Sequence, residues 1–162
     1  MHSITYYKAT QEDVPTLVEN RILFAIELAG AQDEKTIKTL REQLTSFFKK
    51  AIAENTCISY IAKCDNQIAG IGSIQIREQP GNFKNPSGKW GYVMNMYTLP
   101  QFRRRGICAG ILNELIEEGK KIGITAFELH ATAAGEFVYK NNGFNIHQEP
   151  TYRKYLINAK QE

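Results

Sequence analysis

The stretch spanning residues 90–131 constrains the fold of this chain more than any other. It reads as a largely apolar strand, WGYVMNMYT, a turn, PQFRRRG, an amphipathic helix, and a compact second strand, AFELHA. Ile107, Ile111, Leu112, Leu115 and Ile116 supply the helix's buried face, and Gly119 or Gly123 ends it. Two strands joined through a helix lie parallel with a right-handed crossover. Upstream, CISYIAKC, the turn residues DNQ and IAGIGSIQI read as a hairpin, which demands antiparallel pairing. The sheet is therefore expected to be mixed.

The remaining segments supply helices and further strands for such a sheet. Residues 4–8 read as a short strand. Val14, Leu17, Val18, Ile22, Ala25 and Ile26 share one stripe of a first helix; Pro15 fits only its first turn, which favours Asp13 over Thr10 as the N-cap. A second helix is expected over residues 33–53, with Ile37, Leu40, Leu44, Phe47, Phe48, Ala51 and Ile52 at helical spacing. REQPGNFKNPSGK, residues 77–89, is a long polar loop of the kind that borders a site. After AFELHA come a short helix over residues 135–142 and two closing strands, FNIHQ and TYRKYLI. The expected order is β-α-α-β-β-β-α-β-α-β-β, in one α/β domain covering residues 1–162.

Charge and composition exclude several classes of function. The net charge is +3, and lysines alternate with glutamates as on solvated helix faces, so no nucleic-acid-binding arm is present and binding of DNA or RNA is not expected. The N-terminal residues lack the pattern of a signal peptide, and no apolar run reaches membrane-spanning length, which gives the expectation of a cytoplasmic protein. The three cysteines follow no metal-ligand spacing, so no metal is expected. Cys57 and Cys64 lie at the two ends of one expected strand, roughly 23 Å apart at about 3.3 Å per residue, too far to bridge.

Arg103, Arg104 and Arg105 crowd the N-terminus of the helix that follows them, an end already made positive by unpaired N–H groups. An anion at that end turns the repulsion into a clamp, and phosphate is the common ligand there. A plainer account leaves the arginines in solvent and gives Gly106 only a tight turn. Neither the nucleoside-triphosphate loop nor the dinucleotide fingerprint fits, because no Gly-Lys-Ser/Thr ending is present and Cys108 stands between Gly106 and Gly110.

The stretch MYTLPQFRRRGICAGIL resembles the acetyl-CoA signature of the GNAT superfamily of N-acetyltransferases, Arg/Gln-x-x-Gly-x-Gly/Ala after a strand and a proline. Arg103, Gly106 and Cys108 occupy the three signature positions, with cysteine where the family has glycine or alanine. YYKATQEDVPTLVE looks like the family's first strand and helix, and VYKNNGF like its Tyr-x-x-x-Gly-Phe element. The resemblance implies a single mixed, mostly antiparallel sheet with a splayed parallel strand pair and helices on both faces. It also implies transfer of the acetyl group of acetyl-CoA to a primary amine of a small molecule or peptide by direct attack.

Carried onto this chain, the resemblance gives the backbone of Met96, Tyr97 and Thr98 the pantetheine, opposite residues 129–132. It gives the N–H groups of Arg104, Arg105, Gly106, Ile107, Cys108 and Ala109 the pyrophosphate, helped by the arginine side chains. Thr132 stands where many relatives carry a cofactor-contacting asparagine. Tyr139 matches the general acid that protonates the departing thiolate, although an aromatic packing role suits it as well. A backbone N–H near Met96 or Tyr97 would be the oxyanion donor. Glu78, Glu27 and His130 are candidates for the base, and Asn95 for orienting substrate or water; each is as ordinary as a surface or capping residue. Cys108, beside arginines at a helix N-terminus, invites a nucleophile reading because that setting lowers a thiol pKa; the direct transfer implied by the family makes it structural. A non-catalytic acyl-CoA-binding sensor on the same fold is the rival reading, and a homodimer is left open.

Overall fold

The computed structural model describes residues 3–156. Five strands form one sheet in the order β1-β2-β3-β4-β5. The strands are β1 (Ile4–Lys8), β2 (Cys57–Cys64), β3 (Gln67–Glu78), β4 (Lys89–Thr98) and β5 (Ala126–Glu128). The first three pairings are antiparallel and the last is parallel, as the helix-linked stretch demands. The β2–β3 turn places Asp65 and Asn66 both at positive φ, the geometry that suits a tight hairpin and that short Asx side chains tolerate.

Helices cover both faces. β2 is buried on both sides, so its alternation sorts residues between two cores rather than between core and water. Ile58, Tyr60, Ala62 and Cys64 join the core under α3 (Ile107–Lys121), together with Ile111, Leu112 and Leu115. Cys57 and Ile61 join the opposite core under α1 (Val14–Ala29) and α2 (Glu34–Ala53), with Leu17, Val18, Leu44 and Phe48. On that second face the buried hydroxyls of Ser59 and Ser73 satisfy each other at 2.7 Å. α4 (Glu136–Asn141) completes the described elements. Among the described residues no helix is long and apolar enough to cross a membrane.

Asp13 holds the N-cap position of α1, as expected, with Pro15 in the first turn, but it makes no side-chain cap bond to that helix. Thr10, not Asp13, makes the side-chain cap: its hydroxyl accepts from the Glu12 N–H, and Asp13 reaches back to the Thr10 N–H at 2.8 Å. A single 3-10 turn at residues 11–13 precedes the α-helix, so the capping box begins one turn earlier than Pro15 alone suggests.

The strand AFELHA is shorter than expected, with only Ala126–Glu128 in the sheet. The two closing strands do not form over residues 144–156, and Ile157, the last residue of TYRKYLI, lies outside the described residues. A strand needs a partner edge and a surface to cover. The open edge at β5 is three residues long, and Tyr152, Tyr155 and Leu156 remain more than 80% exposed, so this segment buries too little to offset its ordering.

Candidate active site

β4 and β5 pair only where Trp90, Gly91 and Tyr92 meet Ala126, Phe127 and Glu128. Beyond Tyr92 the two segments separate. The β5-facing edge of residues 93–98 therefore carries backbone groups with no ladder partner, a splayed parallel pair with one open wall.

A bulge shapes that wall. Ile71 pairs with Tyr97 and Ser73 with Met94, so Asn95 and Met96 together oppose the single residue Gly72. Asn95 takes a φ of +55°, which asparagine tolerates better than most residues, and its side chain is buried. The extra residue inverts the alternation that follows. Met96 turns to the α3 core and Tyr97 to the α1 core, where it stacks on Phe24 at 5.5 Å. Gly72 is required opposite, because a Cβ there would stand 2.5 Å from both Met96 Sδ and Ile111 Cγ2.

The gap opens into a cleft of ≈ 670 Å³ whose walls run from residues 93–98 across to His130, Thr132 and Tyr139. Its far end is the N-terminus of α3. Gly106 is the cap there, at φ +77°, and the first helical bond runs from the Gly110 N–H to the Gly106 carbonyl at 2.9 Å. The N–H groups of Ile107, Cys108 and Ala109 consequently have no partner within the helix, and no acidic residue lies in its first turn. Arg104, also at positive φ (+61°), is exposed and lines the cleft.

The other two arginines are engaged elsewhere. Arg103 donates to the Thr98 carbonyl at 3.0 Å and forks onto both Glu27 carboxylate oxygens at 2.7 and 2.9 Å, tying α1 to the end of β4. That bond holds the Glu27 carboxyl below its ordinary pKa. Glu27 is thus an anchor, and a carboxylate in an ion pair makes a poor base at neutral pH. Arg105 turns away from the cleft, over the Phe102 ring and toward the Gln101 carbonyl at 3.4 Å.

His130 does face the cleft, with Nδ1 hydrogen-bonded to the Tyr92 hydroxyl at 2.9 Å. Glu78 does not. It is exposed at the far end of β3, in register with Lys89, six residues from the bulge or roughly 20 Å along the strand. The Thr132 hydroxyl accepts from the Gly135 N–H at 3.3 Å, capping the turn into α4 and leaving its own proton free to donate. Phe24, a cleft residue that the helical stripe omitted, lies seven positions after Leu17 and so on the same helix face.

Tyr139 is buried, packs edge-on against Phe144 with ring centroids 6.0 Å apart, and lines the cleft beside Cys108. Burial, and then the nearness of the Cys108 sulfur, raise its pKa above the ordinary tyrosine value. Burial likewise pushes the Cys108 thiol up to about 11, contrary to the lowering expected from its neighbours. Since the thiolate appears only as pH nears that value, iodoacetamide at pH 8 should label Cys108 slowly, with labelling rising steeply above pH 10. Rapid labelling of Cys108 at pH 7, mapped by peptide mass spectrometry, would contradict this environment.

A wider cavity of ≈ 1150 Å³ adjoins the cleft, sharing His130, Thr132 and Tyr139 with it and extending past Trp90 and Phe127 to residues of the 144–151 segment. It includes neither the bulge nor the α3 N-terminus.

A mixed sheet that opens at a parallel strand pair, beside a helix end rich in free N–H groups, defines the acyl-CoA N-acyltransferase class of fold. The chain belongs to the acetyltransferase (GNAT) family, whose sequence model matches residues 23–144. A predicted acetyltransferase from Clostridium acetobutylicum, solved with acetyl-CoA, is 32% identical, with 94% of this chain and 96% of that one covered and a TM-score of 0.83. A GCN5-related N-acetyltransferase from Ralstonia eutropha JMP134 is 20% identical, with 94% and 99% covered and a TM-score of 0.81. An aminoglycoside N-acetyltransferase in complex with CoA is 13% identical, with 97% of each chain covered and a TM-score of 0.72. The latter two attest to the fold alone. No curated protein sequence is similar enough to count as a match.

Proposed function

We propose that this chain is a cytoplasmic, acetyl-CoA-dependent N-acetyltransferase that acetylates a primary amine of a small molecule or peptide by direct attack. The observation that carries the reading is that one cleft is lined by two stretches with unpaired backbone, the open edge of residues 93–98 and the free N–H groups of Ile107, Cys108 and Ala109. An extended amide-bearing chain ending in a diphosphate matches both stretches, and the αL turn at Gly106 leaves nothing within 4 Å of where a side chain would begin. Acetyl-CoA, when bound, supplies an acyl carbon activated by its thioester and a thiolate leaving group.

The chain's own residues do the rest. The N–H groups of residues 104–109 bind the diphosphate, with Arg104 the arginine side chain best placed to add a charge-assisted bond. Met96, Tyr97 and Thr98 hold pantetheine through their backbone, and a bulge N–H at Met96 or Tyr97 donates to the acyl oxygen. The Thr132 hydroxyl donates one further bond, and Asn95 orients the acceptor or a water. Tyr139 keeps its proton at Oη and gives it to the sulfur. His130 is the cleft side chain best placed to take the amine proton, directly or through water.

The test is a free-thiol release assay with acetyl-CoA against polyamines, aminoglycosides, amino acids and N-terminal peptides. Release with at least one primary amine supports the reading; tight acetyl-CoA binding with no release from any amine would point to a sensor.

A further inference from the structure

We propose that Arg21 reads an anionic group on the acceptor, so that the preferred substrate is a primary amine that also carries a carboxylate or a phosphate. This rests on the acetyltransferase reading above. With the diphosphate at the Gly106 end of the cleft, the reactive end points back along β4 through Asn95 toward Val93. The acceptor must then arrive from beyond Val93, where Tyr92, His130 and the middle of α1 meet.

Arg21 stands at that place. It lies three residues before the cleft-lining Phe24 on α1, with its guanidinium carbon 5.2 Å from the Phe24 ring centroid. It is also near enough to Tyr92, the partner of His130, for the two side chains to influence each other electrostatically. Arg41, Arg77 and Arg103 each hold a carboxylate, Glu19, Glu128 and Glu27. Arg21, although partly buried, forms no ion pair among the described residues. Burial holds its pKa below the ordinary arginine value, the mark of a cation short of partners.

Arg77 sits with its guanidinium carbon 3.6 Å over the Tyr92 ring and is neutralised by Glu128. Beside Phe24 and Tyr92, Arg21 is therefore the cation that no carboxylate among the described residues balances. A partly desolvated guanidinium offers a planar fork of donors that matches a carboxylate or a phosphate in two-point contact. A cationic polyamine would meet repulsion there instead.

Thiol release is measured with matched acceptor pairs: an amino acid and its amide, an amino-sugar phosphate and the unphosphorylated sugar, with spermidine alongside. Wild type is compared with Arg21→Gln and Arg21→Lys. The anionic member of at least one pair should be preferred in kcat/KM by about tenfold or more. Arg21→Gln should erase that preference by raising KM for the anionic member with little change in kcat, and Arg21→Lys should restore part of it. The pair that responds tells carboxylate from phosphate. Equal losses for both members, or better turnover of neutral amines or spermidine by wild type, would overturn the role of Arg21 while leaving the acetyltransferase reading intact. Thiol release from no amine would overturn both. Melting temperature checks for a merely structural role, since a packing defect would lower it and depress both members together.

Discussion

Gly106→Val is expected to weaken acetyl-CoA binding by about two orders of magnitude, more than alanine at any one of the three arginines. Left-handed backbone costs an ordinary L-residue about 1–2 kcal/mol, and a β-branched one more, so at φ +77° valine drives the turn toward another conformation. The N–H groups of the α3 first turn then lose their common aim. Each charge-assisted bond to the diphosphate is worth roughly 1.5–3 kcal/mol, so losing two of them accounts for the effect. No neighbour lies within 4 Å of a Cβ at this position, so the damage is conformational and local rather than a packing clash. Single arginine changes should cost less. Arg103 is committed to Glu27, Arg105 faces the Gln101 carbonyl, and only Arg104 lines the cleft without such a bond. Isothermal titration of the four variants ranks them, and a larger loss from an arginine change than from Gly106→Val would mean that side chains, not backbone, hold the donor.

Tyr139→Phe should lower kcat by about 10²–10⁴-fold while acetyl-CoA affinity stays close to wild type. The phenylalanine ring preserves the edge-on packing with Phe144 and removes only the hydroxyl. Because burial raises the Tyr139 pKa, the hydroxyl remains protonated through neutral pH and above the ordinary tyrosine value. Loss of this acid should therefore not appear as a falling limb of the wild-type rate below about pH 10. Unchanged kcat in Tyr139→Phe would remove this residue from the chemistry; weakened acetyl-CoA binding with unchanged kcat would make it a wall of the cleft. A sensor would show no turnover for the substitution to reduce.

Much of this architecture is legible in local pattern. The stripe from Val14 to Ile26, the spacing from Ile37 to Ile52 and the hairpin around Asp65 and Asn66 each report their own element, since each buries a face set by its period. The parallel pair follows from the helix between its strands, and the site's phosphate end from the Arg-Gly turn. What local pattern cannot carry is the bulge. Asn95 looks like any polar residue in a strand, and only pairing with β3 shows that Gly72 faces two residues and that Met96 and Tyr97 exchange faces. The partners of the arginines are equally hidden, because Glu27 lies on another element and only the fold brings it to Arg103. TYRKYLI has a strand's composition but no partner edge long enough to use it. Arg21 falls on the first helix's apolar face, seven positions after Val14, but a charged side chain is not counted there as core, and only the fold sets it beside Phe24 and Tyr92.

The central claim is that unpaired backbone, along the splayed edge of β4 and at the first turn of α3, is what holds acetyl-CoA. Residue-resolved amide hydrogen exchange with and without acetyl-CoA tests it most directly. The account predicts slowed exchange concentrated at Met96, Tyr97 and Thr98 and at Ile107, Cys108 and Ala109, with the amides of α2 unchanged. No saturable binding, or protection confined to the cavity around Trp90 and Phe127, would contradict it.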